Sequence, residues 1–283
     1  MMLPSTFYKL KDIGFKLVAY TILLSVAVAC LFPLFWMLGS ALKTQATIFN
    51  DFSLFPKNPH WENFQIAWTK AHFSTYFFNS VFYTVTVVAG LVLFSSMAAF
   101  AFSRLEFPFK NALFLLFICM MMIPLPGQFV ALYVLLSKLH LVNTRLGYIL
   151  PQIDAGQALA IFLLKTFFDK IPKDLEDSAR IDGCNKLGIY RHLALPLAKP
   201  AIAVVVIFNC LAVWNEYLLA MLIFSDKNLM PLPRGLMVFQ GTHLTEYALL
   251  MAGVSISVVP IILVYLIMQK YIISGITAGA LKG

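Results

Sequence analysis

The residues with the greatest capacity for specific chemistry lie in one polar segment, LEDSARIDGCNKLGIYRHLALP, at residues 175–196. Only 12% of the chain is charged and 60% is hydrophobic, so this concentration of acidic and basic side chains is exceptional. Carboxylates, ammonium groups and guanidinium groups at this spacing can recognise a partner surface, but they form no catalytic grouping. The segment therefore predicts recognition rather than catalysis.

Two short helices are predicted within this segment. The first should begin near Leu175, with Asp174 as its N-cap and Asp177 three residues later in a capping-box position. Gly183, directly after Asp182, suits a left-handed C-terminal cap. The first helix should therefore end in a defined turn.

The second helix is predicted to follow this turn, with Asn185 as its cap. Leu187, Tyr190 and Leu193 would share one face, and Pro196 marks the exit. A rigid polar helix pair can dock another protein, whereas an amphipathic pair can also lie on lipid headgroups. The residues alone favour neither interpretation.

A second polar group interrupts the apolar runs. Asn215, Glu216 and Tyr217 lie in WNEY, and Gln128 ends the proline- and glycine-containing stretch IPLPGQ at 123–128. Intramembrane ionisable groups commonly face a water-filled path, so these four residues could line a polar pathway. Packing or interfacial anchoring is the alternative for WNEY, and a packing kink is the alternative for the prolines.

Signatures of catalysis and of cofactor binding are absent from the sequence. No Gly-Lys pair occurs, which excludes a P-loop for ATP, and no HExxH or GxSxG pattern is present. The cysteines show no paired spacing and are expected to be packing residues: Cys30, Cys119, Cys184 and Cys210. We expect a chain that is not an enzyme and has no metal or cofactor of its own.

The elements that position these residues are predicted to be membrane helices, since the mean hydropathy is +0.83. An all-α integral membrane protein with six spans is expected, at about 17–41, 76–102, 112–137, 146–168, 199–224 and 248–272. The fourth run carries polar residues, so a re-entrant segment is the alternative there. Residues 1–16 would form an N-terminal segment ahead of a transmembrane domain at 17–283.

The distribution of lysine and arginine predicts the orientation of the chain. With an inside amino terminus, most of the 21 basic residues fall on cytoplasmic loops, together with both termini and residues 169–198. The net charge of +8 thus reflects topology rather than nucleic-acid binding. The first apolar run continues past Cys30, which favours a retained helix over a cleaved signal.

The polar segment resembles a known motif. Asp177-Ser178-Ala179, three residues, Gly183, nine residues and then the sequence LALP at 193–196 are similar to the EAA motif of binding-protein-dependent ABC importer permeases. Asp177, Ser178 and Leu193 replace the Glu, Ala and Ile of that motif. The stretches AFSRLEFPFKN, IPLPGQ, FLLKTFFDKIPKDLED, WNEY and GITAGALKG also resemble the carbohydrate, maltose-system type.

The resemblance implies a type I ABC importer fold with a cytoplasmic coupling helix between the fourth and fifth spans. It implies a permease that takes up a sugar or oligosaccharide together with a second permease, two ATPases that bind ATP and Mg, and an external or periplasmic solute-binding protein, in a bacterial or archaeal cytoplasmic membrane. The implied ATPase-coupling residues are Glu176, Asp177, Ser178, Ala179, Asp182, Gly183, Leu193 and Pro196. A stand-alone secondary carrier is the alternative.

Overall fold

The computed structural model describes residues 5–122, 125–240 and 245–280, and these are almost entirely helical. Within these ranges the β-pairing is a single bridge between Gln240 and Thr245. Helices satisfy every backbone hydrogen bond internally, which hydrocarbon requires. Four of them are long and apolar enough to span: Ile13–Ala41, Phe73–Arg104, Arg145–Asp169 and Tyr247–Lys270. The all-α membrane architecture predicted from the sequence is confirmed.

The connections between the helices differ in length, and the one at 42–61 is long. In chain order they are α1 (Ser5–Ala41), α2 (Glu62–Thr69), α3 (Phe73–Arg104), α4 (Lys110–Met120), α5 (Phe129–Lys138), α6 (Arg145–Asp169), α7 (Lys173–Ile181), α8 (Lys186–Leu197), α9 (Lys199–Trp214), α10 (Leu218–Ile223), α11 (Leu232–Leu236) and α12 (Tyr247–Ala280). Short 3-10 turns cover Lys70–His72, Leu125–Gln128, Lys227–Leu229 and Met237–Phe239.

Two of the expected spans are not single helices. The run at 112–137 is divided between α4 and α5, and Ile123 and Pro124 of IPLPGQ lie outside the described residues. The run at 199–224 is divided between α9 and α10 by residues 215–217. The axes of α8 and α9 are inclined by 74°, and counting that bent pair as one span raises the number of candidate spans from four to five in the described ranges.

The chain forms two compact units. In the first, Met1–Lys70 with Val238–Ile256, the spanning part of α1 is exposed on nearly every side. Its last turn meets the following loop at Gly39, where an added Cβ would lie 2.0 Å from the Leu54 carbonyl oxygen. An ion pair joins Lys70 Nζ to Glu246 Oε2 at 2.6 Å.

The second unit comprises Ala71–Met237 with Ser257–Gly283, and α3 and α6 form its centre. Leu91 of α3 and Leu164 and Phe168 of α6 belong to one hydrophobic core, and all three side chains are fully buried. The helices approach closely at Gly156, where an added Cβ would lie 2.2 Å from Leu91 Cδ1 and 2.3 Å from the Asn209 side-chain oxygen. Small residues allow this close approach in membrane helices, so one glycine lets α6 meet both α3 and α9.

Candidate functional site

The polar segment folds as a helix, a turn and a second helix. The first helix, α7, begins at Lys173 with Pro172 at its N-cap position and no side-chain cap. The prediction that Asp174 caps this helix is therefore wrong, because the helix begins at Lys173, two residues ahead of Leu175, and Pro172 takes the N-cap position. Asp174 lies inside the first turn, where a carboxylate still favours the positive end of the helix dipole.

The turn after α7 depends on Gly183, whose φ is +84°. The Cys184 N–H donates to the Ala179 carbonyl at 2.9 Å and the Gly183 N–H donates to the Arg180 carbonyl at 3.0 Å, which together make a Schellman motif. No atom lies within 4 Å of an added Cβ at this glycine. The left-handed backbone, rather than crowding, is therefore what requires glycine, and the predicted C-terminal cap is confirmed.

The second helix, α8, begins as predicted at Asn185. The Gly188 N–H donates to Asn185 Oδ1 at 2.8 Å. The predicted shared face of Leu187, Tyr190 and Leu193 is wrong, because residues 189–194 form a π-helical turn whose wider hydrogen-bonding pattern shifts the register. Tyr190 is buried, Leu193 is half-buried, and Leu187 is 66% exposed.

The exposed face of the segment carries most of the implied coupling residues. Asp177, Ser178, Asp182, Gly183 and Pro196 are exposed, whereas Ala179 and Leu193 are half-buried against the core. Asp177 Oδ1 accepts a hydrogen bond from Arg180 Nη1 at 3.2 Å on this face.

Two apolar side chains flank the turn on the same segment, and sequence reasoning missed them. Ile181 is 88% exposed and Leu187 is 66% exposed. Their only sequence signal was an apolar residue on each side of Gly183. An exposed apolar pair ringed by charged residues has the composition of a protein-docking surface.

Glu176 differs from the other implied coupling residues because it is buried. Its carboxylate pairs with the Arg104 guanidinium, with the two side chains 8% and 10% exposed. Arg104 Nη2 also donates to the carbonyls of Phe168 at 2.6 Å and Ile171 at 2.7 Å. One side chain at the end of α3 thus holds both α7 and the end of α6.

The second helix of the segment is held by the same helix α3. Ser96 Oγ and Tyr190 Oη are 2.8 Å apart in a buried hydrogen bond. The Phe100 ring lies 5.3 Å from that of Tyr190 and 6.0 Å from that of Phe168. Both arms of the polar segment therefore rest on the C-terminal end of α3, a contact that no local sequence pattern indicates.

The second group of candidate residues surrounds the break between α9 and α10. Glu216 Oε1 accepts a hydrogen bond from the Leu219 N–H at 2.9 Å, and Oε2 accepts one from the Ala220 N–H at 3.3 Å. Asn215 Nδ2 donates to the Leu211 carbonyl at 2.8 Å, and Tyr217 is half-buried. The half-buried Glu216 carboxylate thus caps the new helix, a role that the sequence did not indicate.

Gln128 is exposed at the end of a 3-10 turn. Within the described ranges, no hydrogen bond connects it to residues 215–217. The role of the four residues in a polar pathway stays a prediction.

A cavity of about 670 Å³ lies between α3, α9 and α12. Its lining is almost wholly apolar and includes Val88, Ile207, Trp214, Pro260 and Tyr265. Such a lining suits hydrocarbon rather than a hydroxylated solute. Within the described ranges, no group of three or more His, Cys, Asp or Glu side chains is placed to hold a metal ion.

This chain is similar to known membrane transport proteins in its sequence. Residues 91–278 match the family model described as binding-protein-dependent transport system inner membrane component. The chain is 36% identical, over 90% of its length and 85% of the relative, to the probable ABC transporter permease protein YurM of Bacillus subtilis. It is 34% identical, over 97% of its length and 96% of the relative, to the arabinooligosaccharides transport system permease protein AraQ of Halalkalibacterium halodurans.

Among solved structures, a bacterial ABC transporter involved in the import of the acidic polysaccharide alginate has the same fold. The TM-score is 0.80, with 22% identity over 96% of this chain and 99% of that one.

Proposed function

This chain belongs to the family of binding-protein-dependent transport system inner membrane components, and we propose that residues 169–198 are its ATPase-docking segment. It is a multi-pass membrane permease of an ABC transport system and not itself an enzyme. The observation that carries the proposal is the pair of short helices at the Gly183 turn, which presents Asp177, Ser178 and Ile181 to solvent.

The assembly that we propose contains a second permease, two ATP-binding subunits that hold ATP and Mg, and an external solute-binding protein. Six spans with both termini in the cytoplasm place the docking segment on the cytoplasmic side. In that arrangement α4 and α5 supply one span, and α9 with α10 supply another. The broken form of both supports a span that passes beside protein rather than lipid alone, since non-helical backbone needs such surroundings.

The substrate class that we propose is a sugar or an oligosaccharide. The relative named for arabinooligosaccharide transport supports it, because that protein matches this chain over nearly its full length. A melting-temperature shift of the purified binding protein with a panel of sugars tests this proposal, since a ligand that binds only the folded state raises that temperature.

The docking role is tested by co-purification of the ATPase with two matched variants. Ile181→Glu places a charge on the 88%-exposed apolar residue of the turn, and Phe109→Glu does the same at an 80%-exposed residue outside the segment. We expect Ile181→Glu to lose the ATPase and Phe109→Glu to retain it. Equal retention by both variants contradicts the docking role. Uptake by the purified chain alone, driven by an ion gradient without ATP, would instead identify a stand-alone carrier.

A further inference from the structure

The inner end of α3 carries a stripe of three side chains that face the docking segment. Ser96, Phe100 and Arg104 are spaced four residues apart, so they share one face of the helix. They contact Tyr190 and Glu176, which belong to the two different arms of the segment. A displacement of either arm therefore acts on this end of α3.

The outer end of the same helix holds a different loop by hydrogen bonds. Asn79 Nδ2 donates to the carbonyls of Asn228 at 2.7 Å and Met230 at 3.1 Å. Tyr83 Oη donates to the Leu229 carbonyl at 2.8 Å. Three consecutive carbonyls of the loop thus accept hydrogen bonds from α3.

Two further contacts fix the loop beyond these carbonyls. The Leu232 N–H donates to Ser80 Oγ at 2.7 Å in a buried hydrogen bond. Gly235 lies so close to the Tyr76 ring that an added Cβ would be 2.0 Å from Cδ2. The loop from Asn228 to Gly235 is therefore attached to α3 along almost its whole length.

Between its two ends α3 is uninterrupted. It runs without proline from Phe73 to Arg104, and the rise from Tyr83 to Arg104 is about 31 Å, close to the thickness of a bilayer core. The run from α9 to α10 is broken at residues 215–217, and α6, although continuous, contains Pro151 in its second turn. The helix α3 is thus a continuous route without proline across this unit.

We propose that α3 is the strut that couples the docking segment to the loop from Asn228 to Gly235 on the opposite side of the membrane. This inference rests on the proposed ATPase docking. It adds the route by which a change at the docking segment reaches the other face, through the stripe at one end and the hydrogen-bonded carbonyls at the other.

The test uses the complete complex with a spin label on Lys227→Cys, an exposed position beside the loop, after the four native cysteines are replaced by alanine. A non-hydrolysable ATP analogue with Mg is added, and its effect on the spectrum of the label is measured. Ser96→Ala removes the inner hydrogen bond, and Tyr83→Phe removes an outer one. Tyr133→Phe is the control, since it removes a hydroxyl from a 40%-exposed tyrosine on α5.

We expect the analogue to change the spectrum in the parent complex and in Tyr133→Phe. The equilibrium constant for the spectral change should fall about fivefold in Ser96→Ala and in Tyr83→Phe, the factor expected for one buried hydrogen bond, and the amplitude should fall with it. The amplitude in the double variant should equal that of the single variant with the smaller amplitude, because both changes interrupt one linkage. If either single variant fails to assemble, Phe100→Leu at the inner end or Asn79→Ala at the outer end replaces it.

Parent-like amplitudes in both single variants, or losses that multiply in the double variant, overturn the strut. An ATPase that co-purifies but leaves the parent spectrum unchanged on addition of the analogue also overturns it, while the docking proposal stands. Failure of the ATPase to co-purify at all contradicts the proposed function itself.

Discussion

Arg104, the last residue of α3, and Glu176, in the middle of α7, form a buried ion pair between helices that are distant in sequence. The pair is supported by two carbonyls that accept from the same guanidinium. Fork-shaped donors of this kind suit arginine and not lysine, which lacks the planar geometry. The pair therefore fixes the position of the proposed docking segment against α3.

Removal of one partner should leave the other charge buried and unpaired. We expect Glu176→Ala to lower the free energy of unfolding by about 3 kcal/mol, since loss of one member of a buried pair has that order of cost. Asp177→Ala is the matched control and should change it by less than about 0.5 kcal/mol, because Asp177 is exposed. Thermal unfolding of the purified protein in nanodiscs measures both. Equal effects of the two substitutions would show that the ion pair does not position α7.

The turn at Gly183 should be destabilised by a larger side chain, although the surroundings leave space for it. Gly183→Ala should destabilise the turn by about 1 kcal/mol, because an L-residue at φ +84° is strained even with free space around it. Gly183→Asn should cost less, as asparagine tolerates the left-handed region.

Gly14→Ala on α1 is the control for that turn, since it also has no atom within 4 Å of the added Cβ and lies within a helix. We expect it to be neutral or stabilising. Hydrogen exchange of the amides at 179–184 measures the turn directly. A Gly183→Ala variant with unchanged protection of these amides would refute the backbone argument.

The cap at position 185 should depend on an oxygen acceptor in the side chain. Asn185→Ala removes the acceptor of the Gly188 N–H and should cost about 1 kcal/mol, whereas Asn185→Asp keeps an oxygen acceptor and should retain most of the stability. Unfolding of the two variants, measured side by side, checks the order. Equal losses would mean that the cap contributes nothing measurable.

The break between α9 and α10 should depend on the Glu216 carboxylate. Glu216→Ala leaves the Leu219 and Ala220 N–H groups without their acceptors and should destabilise the protein by about 2 kcal/mol. Glu216→Gln keeps one acceptor oxygen and should lose about half of that. Thermal unfolding checks both, with Asn215→Ala as the control, because that side chain bonds back only to Leu211 of its own helix. A larger loss for Asn215→Ala would contradict the capping role.

The features that the sequence predicts correctly are local ones. Gly183 needs a left-handed backbone and Asn185 needs a nearby N–H group, and both requirements are met within a few residues. The N-cap prediction at Asp174 failed because Pro172 already fixes the backbone there. The rules for helix caps do not decide between two candidate residues that lie two positions apart.

The features that sequence reasoning missed depend on contacts between distant segments. Nothing in the order of residues connects Arg104 with Glu176, or Ser96 with Tyr190, because the packing of α3 on α6 is what brings α3 to the docking segment. Hydropathy also hid the break at residues 215–217. The run is apolar on both sides, and a single carboxylate accepts the hydrogen bonds at the start of the second helix.

The exposed pair Ile181 and Leu187 has a consequence for the chain before it meets its partners. Both side chains are exposed on either side of the Gly183 turn, and at the proposed aqueous docking surface they gain nothing from the hydrophobic effect until another surface covers them. A copy of this subunit without its partners therefore keeps an exposed apolar tip on the proposed docking segment. Solubility of the purified chain should improve when the ATPase is produced with it, because assembly shields that tip.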